Sequence, residues 1–395
     1  MSVPLDLPEL TPDEVAHSAA LVEHIRAAIR KAGGWIDFAQ FMQLALYAPG
    51  LGYYSAGARK FGAAGDFITA PEVAPVFSRC LAVQCAEVLQ HLGTSDARIL
   101  ELGAGSGVMA AGLLAELERQ GALPAEYLIL DLSADLRERQ QATIAQAVPH
   151  LLDRVHWLDG LPDEPFTGLI IANEVLDALS VQRFAIRQGE VNALGVSDEF
   201  GQFVLAEVRG GERLVAAVRQ IERDAGVTLP DGYESELCLG LAQWLAGIGA
   251  SLARGVMLFV DYGLPRREYY SLERTRGTLL CHFRHRFHDD ALARVGLQDI
   301  TAWVDFTAVA EAATAAGFEV AGYTTQAHFL IGAGLGDFVA NVEGLDLVHR
   351  LNLSRQAMVL TLPGEMGERF KVIALSRDYD APLRGFATRD LRHTL

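Results

Sequence analysis

The chain has 395 residues, of which 50% are hydrophobic and 21% are charged, so it can build the core of one large domain with additions or of two domains. Wholesale disorder is excluded by this composition. The 33 basic and 50 acidic residues give a net charge of −17, and because such a field repels phosphates, we expect no nucleic acid partner. A basic polypeptide or a cationic small molecule would instead be attracted.

The N-terminal segment 12–48 has apolar residues at helical spacing on both sides of a Gly33-Gly34 break, which predicts two helices. A glycine- and aromatic-rich segment, 47–72, follows with little periodicity. Because long loops inside compact proteins are usually functional, we interpret it as a site-forming loop. We assign residues 1–80 to these helices and this loop.

From Arg98 onward, short apolar strands alternate with helices, which predicts βαβ crossovers and a doubly wound α/β fold with a parallel sheet. We assign residues 81–395 to this core, with insertions at about 183–235 and 264–304 that form a cap. The predicted elements are strands at 99–102, 127–132, 154–158, 169–172, 256–260 and 370–376, helices at 108–119, 134–147, 237–253, 305–316 and 327–350, a hairpin at 183–208 and an extended segment at 318–323.

The four cysteines form no CxxC pair and no regular spacing, which argues against a zinc site or a disulfide framework and indicates a reducing compartment. The first ten residues carry Asp6 and Glu9 and show neither a secretory nor an import pattern. The apolar stretch 237–253 contains Gln243 and is rich in glycine, so we interpret it as a buried helix. We therefore expect a cytoplasmic protein without membrane insertion.

The strongest motif is Glu101-Leu-Gly103-Ala104-Gly105-Ser-Gly107, between a predicted strand and a predicted helix. Glycines there let the backbone turn sharply and approach a ligand at the helix N-terminus. A nicotinamide dinucleotide site would prefer GxGxxG, whereas this pattern is GxGxG with a carboxylate two positions before the first glycine. It favours S-adenosylmethionine, whose cationic end the carboxylate can face. The alternative is that the glycines only make a tight turn.

Asp131 ends the second predicted strand, where a carboxylate of a doubly wound fold accepts hydrogen bonds from ribose hydroxyls. We include its neighbour Leu132 among the cofactor-binding residues. Asp159 follows the third strand and could meet the adenine amino group in the same crevice. The alternatives are a helix cap for Asp131 and an exposed loop position for Asp159.

Asn173, Glu174 and Asp177 follow the fourth predicted strand at its carboxyl end, where open α/β sheets bind ligands. If the segment is a helical turn, the two carboxylates three residues apart lie on one face. Such a pair can hold a guanidinium by charge-assisted, bidentate hydrogen bonds. We predict these three residues as the catalytic group. The alternative is a capped helix start with solvated acids.

Further candidates lie outside these strand ends. We expect Phe67, Thr69 and Glu72 of the site-forming loop to close over the cofactor, with Thr69 and Glu72 on the cofactor and Phe67, Tyr262 and His285 on the substrate. His282, His285 and His288 alternate with arginines and lack a nearby carboxylate-bearing helix, so we expect no metal.

Together these motifs resemble the MidA-type methyltransferases, a class I S-adenosylmethionine-dependent family that includes the mitochondrial complex I assembly-factor arginine methyltransferase. Ser180 departs from the proline that the family usually has there. The matching blocks are Gly65-Asp-Phe-Ile-Thr-Ala-Pro-Glu72, Glu101-Leu-Gly-Ala-Gly-Ser-Gly107, Ala172-Asn-Glu-Val-Leu-Asp-Ala-Leu179, Val260-Asp-Tyr-Gly263, Asp299-Ile-Thr-Ala-Trp-Val-Asp305 and Met366-Gly-Glu-Arg-Phe-Lys371.

The resemblance implies a seven-stranded Rossmann-like sheet with an inserted cap, S-adenosylmethionine as the cofactor, and a protein substrate carrying a target arginine. It further implies symmetric ω-N dimethylation and a link to respiratory complex I assembly, in a bacterial cytoplasm for this chain, and it leaves a homodimer open. Two alternatives remain: a methyltransferase acting on a small molecule, and a non-catalytic assembly factor that keeps the cofactor site.

Overall fold

The computed structural model describes residues 7–56, 69–131, 133–340 and 346–395. Among these residues, the helices are α1 (Pro12–Lys31), α2 (Phe38–Tyr47), α3 (Ala70–Val73), α4 (Pro75–Leu92), α5 (Val108–Arg119), α6 (Ala134–Ala147), α7 (Glu212–Ala225), α8 (Leu241–Gly249), α9 (Arg266–Tyr269), α10 (Phe306–Ala315), α11 (Gln326–Gly332), α12 (Leu335–Ala340), α13 (Leu347–Thr361) and α14 (Met366–Arg369). The strands are β1 (Trp35–Asp37), β2 (Arg98–Leu102), β3 (Glu126–Leu130), β4 (Val155–Leu158), β5 (Phe166–Asn173), β6 (Gln182–Arg187), β7 (Glu190–Glu199), β8 (Gln202–Arg209), β9 (Glu234–Leu237), β10 (Leu252–Leu264), β11 (Leu280–Phe283), β12 (Arg286–His288), β13 (Asp299–Thr301), β14 (Val304–Asp305), β15 (Glu319–Thr325) and β16 (Phe370–Arg377).

The chain packs into two units. One consists of Met1–Phe67, Asp177–Leu241 and Pro265–Asp305, and the other of Ile68–Leu176, Ala242–Leu264 and Phe306–Leu395. We call them the small unit and the sheet unit. The predicted domain boundaries at residue 80 and the predicted cap remain predictions.

The sheet unit is built on a mixed sheet with strand order β15-β16-β10-β5-β2-β3-β4. The strands from β10 to β4 pair in parallel, and β16 is antiparallel to both of its neighbours. The inner strands are buried along most of their length, which is typical of parallel strands covered on both faces. The predicted α/β fold is therefore present, but its sheet is mixed and not wholly parallel, because β16 is antiparallel to its neighbours.

The registers bring the carboxyl ends of the inner strands to one edge of this sheet. Leu102 of β2 pairs with Leu130 of β3 and with Ala172 of β5, and Asn173 of β5 pairs with Val260 of β10. The segments that follow β2, β3 and β5 therefore leave the sheet at the same edge.

The small unit contains a sheet of order β1-β7-β6-β9, with β8 also paired to β7, and a three-stranded sheet β12-β11-β13. Helix α1 contributes Leu21, Ile25 and Ile29, spaced by four residues, to its apolar core, together with Phe38 and Phe41 of α2. Val15, an apolar residue in the first turns of the same helix, is 53% exposed.

Several predicted elements differ from the observed ones. The predicted helix 237–253 is shorter, because β9 occupies 234–237 and α8 begins only at Leu241. The predicted helix 327–350 is divided at Gly332 and Gly334, the latter with a left-handed φ of 94°. The predicted hairpin 183–208 is a three-stranded meander of β6, β7 and β8. Strand β1 and helices α4 and α13 were not predicted.

The described residues bear on two expectations from the sequence, which concern membrane spans and the state of the cysteines. No helix among them is both long and apolar enough for a membrane span. All four cysteines are free thiols, and Cys80 and Cys85 have pKa values raised to about 12 by burial. These two thiols therefore stay protonated and have little nucleophilic character near neutral pH.

Two glycines allow the backbones of the central strands to approach closely. Gly168 of β5 lies opposite Arg98 of β2 and Gly255 of β10. A Cβ atom on Gly168 would lie 1.9 Å from the Arg98 carbonyl oxygen, and one on Gly255 would lie 1.8 Å from the Gly168 carbonyl oxygen. Their φ angles of 152° and 139° also disfavour other residues. The contact is between backbones, so no side chain can move to relieve it.

We expect Gly168→Ala to destabilise the protein by about 3 kcal/mol or more, because both backbone strain and overpacking are introduced into the sheet. Gly160→Ala is the matched control, since a Cβ atom on Gly160 would meet no atom within 4 Å. Urea unfolding of the two variants and the parent measures the difference. A Gly168→Ala variant as stable as Gly160→Ala would show that the sheet can widen at this point.

Candidate active site

The glycine motif forms the turn between β2 and α5. Gly103, Gly105 and Gly107 have left-handed φ angles of 63°, 55° and 81°, a conformation that other residues rarely adopt. A Cβ atom on Gly107 would lie 2.8 Å from the Cα atom of Gln140, and one on Gly103 would lie 3.0 Å from Val175 Cγ2. The glycines therefore serve both the turn and the close approach of two neighbouring segments.

Glu101, the acidic residue of the motif, is fully buried at the end of β2. Its Oε2 accepts a hydrogen bond of 2.6 Å from the Tyr127 hydroxyl, whereas its Oε1 is buried and finds no partner among the described residues. Burial raises the pKa of Glu101 to about 7, although the bond from Tyr127 acts in the opposite direction. A buried acceptor oxygen with this pKa fits a ligand that donates a hydrogen bond or carries positive charge.

Asp131 lies directly after β3 and is 8% exposed. Its Oδ1 accepts from the Ser133 backbone N–H at 3.1 Å, and its Oδ2 accepts from Gln140 Nε2 at 2.9 Å. The N-cap of α6 is Ser133, whose Oγ accepts from the Leu136 N–H. Asp131 is therefore not the N-cap of this helix, and its predicted contact with the ribose remains a prediction.

Arg137 of α6 joins the segments after β3 and β4. Its guanidinium donates to the Asp131 carbonyl oxygen at 3.1 Å and to Asp159 Oδ1 at 2.7 Å. The Asp159 side chain is 95% exposed in this ion pair. The structure thus brings Asp159 to the Asp131 segment, and its predicted contact with adenine remains a prediction.

The segment after β5 is a turn and not a helix, so the conditional prediction of a helical turn is wrong. Glu174 adopts a left-handed φ of 54°, its N–H donates to the Val260 carbonyl oxygen at 2.9 Å, and its Oε1 accepts from Asn173 Nδ2 at 3.1 Å. The Oδ1 atom of Asn173 is buried without a partner among the described residues. Strained backbone at a non-glycine residue is frequent at functional sites.

Asp261, on β10, holds this turn. Its Oδ2 accepts from the backbone N–H groups of Val175 at 3.1 Å and Leu176 at 2.8 Å, and its Oδ1 accepts from the N–H of Tyr262 at 2.9 Å. Asp261 is fully buried, so its carboxylate supplies acceptors to backbone groups that would otherwise lack them. The bends at 174–176 are explained by this side chain.

Two predicted site residues belong to the small unit. Asp177, the first residue of that unit after the turn, is 5% exposed, and its carbonyl oxygen accepts from the Ala302 N–H at 3.0 Å. His285 is exposed at the turn between β11 and β12 with a left-handed φ of 61°. Its predicted contact with a substrate remains a prediction.

The remaining predicted residues are spread over the sheet unit. Thr69 is the N-cap of α3, and Glu72 lies on α3, which packs against α4 and α5. Tyr262 is half-buried on β10 and stacks edge-on against Phe370 at 5.4 Å. Phe67 and Leu132 lie outside the described residues.

Histidines, cysteines and carboxylates do not gather into a group of three or more suited to a metal within the described ranges. His282 and His288 lie on the paired strands β11 and β12, opposite Phe287 and Cys281 respectively. His282 and His288 are therefore cross-strand neighbours of Phe287 and Cys281 in a β-hairpin.

The residues at the sheet edge fit S-adenosylmethionine in three ways. Glu101 and Asn173 each keep a buried acceptor oxygen without a partner among the described residues, which suits the amino and hydroxyl donors of such a ligand. The left-handed glycines carry no side chain at the turn before α5, and the first N–H groups of a helix have no acceptor within that helix. Asp131 lies at the neighbouring strand end.

The structure adds three residues to the candidate site that were not predicted from the sequence: Gln140, Arg137 and Asp261. Asp261 stands within the Val260-Asp-Tyr-Gly263 block, where an acid that ends an apolar strand was a detectable signal. Gln140 and Arg137 lie on α6 at positions 7 and 4 residues after Ser133, and their roles depend on contacts across the fold, so the sequence carried no signal for them.

We expect the stability of the cofactor-free protein to depend on pH through Glu101. Its folded pKa of about 7 lies above the ordinary value of 4.5, so its stabilising contribution is fully present below about pH 4.5 and is lost as the pH rises through 7. Relative to the parent, Glu101→Gln should therefore gain stability on the order of 3 kcal/mol between pH 4.5 and 8. Urea unfolding at both pH values measures this gain.

Glu164→Gln is the control for this measurement, because Glu164 is exposed in a loop of the same unit. It should leave the pH dependence of the parent unchanged. Parallel stability curves for Glu101→Gln and the parent would contradict the raised pKa of Glu101.

Comparison with known proteins supports a methyltransferase site. A family model for S-adenosyl-L-methionine-dependent methyltransferases matches residues 80–324. A crystal structure from Burkholderia thailandensis, bound to S-adenosyl-homocysteine, is 44% identical with a TM-score of 0.94 and covers 99% of this chain and 100% of that chain.

Curated relatives carry a more specific name. The Drosophila melanogaster "Protein arginine methyltransferase NDUFAF7 homolog, mitochondrial" is 27% identical over 95% of this chain and 89% of its own length. The Rattus norvegicus "Protein arginine methyltransferase NDUFAF7, mitochondrial" is 28% identical over 92% of this chain and 86% of its own length. The resemblance seen in the sequence motifs is thereby confirmed: the chain belongs to the MidA-type family of class I S-adenosyl-L-methionine-dependent methyltransferases.

Proposed function

We propose that this methyltransferase transfers a methyl group to a guanidinium nitrogen of arginine in a protein substrate. The observation that carries the proposal is the geometry of Glu174, a carboxylate held on a strained turn at the end of β5, directly before the Val175 side chain that lies against the glycine turn. An acid placed beside the cofactor-binding loop suits a cationic acceptor group.

In this proposal the cofactor contacts residues of the β2–α5 turn, of the neighbouring strand ends and of the site-forming loop. From the turn these are Glu101, Gly103, Ala104, Gly105 and Gly107, from the strand ends Asp131, Leu132, Asp159 and Asn173, and from the loop Thr69 and Glu72. When bound, S-adenosylmethionine supplies an electrophilic methyl group on a sulfonium. The chain contributes the acceptors and the shaped backbone that fix its position. Phe67, Tyr262 and His285 are proposed to contact the substrate.

Glu174 orients the guanidinium and stabilises its positive charge until a proton leaves, so no strong base is needed. The Asn173 amide, which donates to Glu174 Oε1 at 3.1 Å, keeps the carboxylate from rotating freely. Asp177 is included because it lies three positions after Glu174, and a second carboxylate allows bidentate binding that an arginine guanidinium matches. Fixing two reactants in a near-attack arrangement can lower the barrier by about 7–11 kcal/mol at best.

The names of the curated relatives support the arginine specificity, and the net charge of −17 supports a basic protein segment as the substrate. We further propose, from the family resemblance, symmetric ω-N dimethylation linked to respiratory complex I assembly in a bacterial cytoplasm. The seven-stranded Rossmann-like arrangement with an inserted cap belongs to the same proposal. The four free thiols, three of which are buried, accord with a reducing compartment.

Mass spectrometry of methylarginine in the source organism, with and without the gene, tests the proposal. We expect at least one methylarginine to disappear from a protein when the gene is deleted and to return when it is restored. Unchanged methylarginine, together with a change in a methylated small molecule, would instead identify a small-molecule methyltransferase. A deletion phenotype that an inactive variant restores would identify a non-catalytic assembly factor.

We expect Glu174→Gln and Asp177→Asn each to lower the methyl-transfer rate at least about tenfold, because each keeps the side-chain shape and removes a charge-assisted hydrogen bond to the guanidinium. Affinity for the cofactor should change little, since Asp131 and the glycine turn are untouched. Transfer to an arginine-containing acceptor and cofactor affinity by calorimetry are measured for each variant.

Glu164→Gln and Asp163→Asn are matched controls, because they make the same chemical changes at exposed loop positions of the sheet unit. Both should behave like the parent. If Glu174→Gln and Asp177→Asn also transfer methyl groups at the parental rate, the acids are structural, and the arginine-specific mechanism is wrong.

A further inference from the structure

Gln140 occupies an unusual position for a polar side chain. It lies on α6 and is fully buried, with no exposed surface. It also touches the glycine turn through its backbone, since a Cβ atom on Gly107 would lie 2.8 Å from the Gln140 Cα atom. A buried amide needs partners for its donors and its acceptor, and each of those partners belongs to a different segment of the sheet unit.

Three hydrogen bonds satisfy this amide. Gln140 Nε2 donates to the Gly105 carbonyl oxygen at 3.1 Å and to Asp131 Oδ2 at 2.9 Å. Gln140 Oε1 accepts from Trp157 Nε1 at 2.9 Å. One side chain thus joins the turn after β2, the residue after β3 and a residue within β4.

The chemistry of the partners fixes the orientation of the amide. An indole N–H can only donate, so the atom facing Trp157 must be the oxygen of Gln140. The nitrogen then faces a carbonyl oxygen and a carboxylate, which can only accept unless the carboxyl is protonated. In a flipped amide, the Gln140 oxygen would face the Gly105 and Asp131 acceptors, and the Gln140 nitrogen would face the Trp157 donor. Only one orientation therefore satisfies all three partners.

We propose that Gln140 is a positioning residue for cofactor binding. Its side-chain amide holds the Asp131 carboxylate and the Gly105 carbonyl oxygen in fixed relative positions, and the bond from Trp157 fixes the orientation of that amide. The inference rests on the proposed contact between Asp131 and the ribose. A carboxylate has about four lone-pair sites, and the bonds from Gln140 and Ser133 use one site on each oxygen of Asp131 and hold the carboxylate in place.

This arrangement predicts a selective effect on the ribose. Without the donor from Gln140, the Asp131 carboxylate loses a fixed contact on Oδ2 and can turn away from a ribose hydroxyl. A ligand that lacks those hydroxyls does not use Asp131, so it should be much less affected. A purely structural role for Gln140 would instead weaken both ligands by the same factor.

The test compares the affinities of S-adenosyl-homocysteine and of its analogue without the 2′- and 3′-hydroxyls, measured by calorimetry on the full chain. We expect Gln140→Met, which keeps the length but removes both polar groups, to weaken S-adenosyl-homocysteine at least about tenfold more than the analogue. Gln141→Met is the matched control, since Gln141 is the exposed neighbour on the same helix. It should change neither affinity.

Gln140→Glu is a second variant that keeps the acceptor for Trp157. Its ionised carboxylate would face Asp131 and repel it, whereas its protonated form can donate one hydrogen bond. We therefore expect its affinity for S-adenosyl-homocysteine, relative to the parent at the same pH, to recover as the pH is lowered toward about 5. A structural role would give no such pH profile.

The variant Asp131→Ala tests the ribose contact of Asp131 separately from the positioning role of Gln140. If Asp131→Ala loses the preference for the hydroxylated ligand and Gln140→Met does not, the ribose site stands and the positioning role of Gln140 is overturned. Equal weakening of both ligands by Gln140→Met overturns it as well. If Asp131→Ala leaves the preference intact, the ribose assignment itself is wrong, and the inference about Gln140 is overturned with it.

Discussion

The alignment of the carboxyl ends of β2, β3 and β5 is the constraint on which the candidate site depends. Parallel pairing in register places Leu102, Leu130 and Ala172 side by side, so the three segments that follow leave the sheet at one edge. Glu101, Asp131 and Asn173 are far apart in sequence and are brought together by this alignment alone. The backbone contact of Gly168 with its neighbours is part of the same constraint, because any Cβ atom there would force the strands apart.

The polar groups at this edge are held by other buried polar groups. Asp261 satisfies the backbone N–H groups after Glu174, Gln140 bridges Gly105 and Asp131, and Tyr127 donates to Glu101. A partly satisfied buried network is costly. Glu101 and Asn173 each have a buried oxygen with no partner in the part of the chain that the structure describes, so a ligand that donates a hydrogen bond there would offset the desolvation of these groups. These groups of the candidate site are therefore positioned by hydrogen bonds within the protein.

Burial distinguishes the acids of this protein from one another. Glu101 is fully buried with a pKa raised to about 7, whereas Asp159 is an exposed acid paired with Arg137. The first can respond to a cationic or donating group with a change of protonation near neutral pH. Glu174 differs from both, because its backbone conformation rather than its burial is unusual.

The sequence by itself determined the α/β class, the GxGxG turn, the acid at the end of β3 and the family, because apolar runs, glycine spacing and block motifs are local signals. The tertiary structure decided what depends on distant partners. The bends after Glu174 result from Asp261, which lies 87 residues later in the chain, so no local pattern could distinguish this turn from a helix start. Gln140 appeared in the sequence as one of two adjacent glutamines on a polar helix, and only packing showed that it is buried while Gln141 is exposed. The break of the predicted helix 327–350 and the division into two units likewise follow from long-range packing, which overrides local helix propensity.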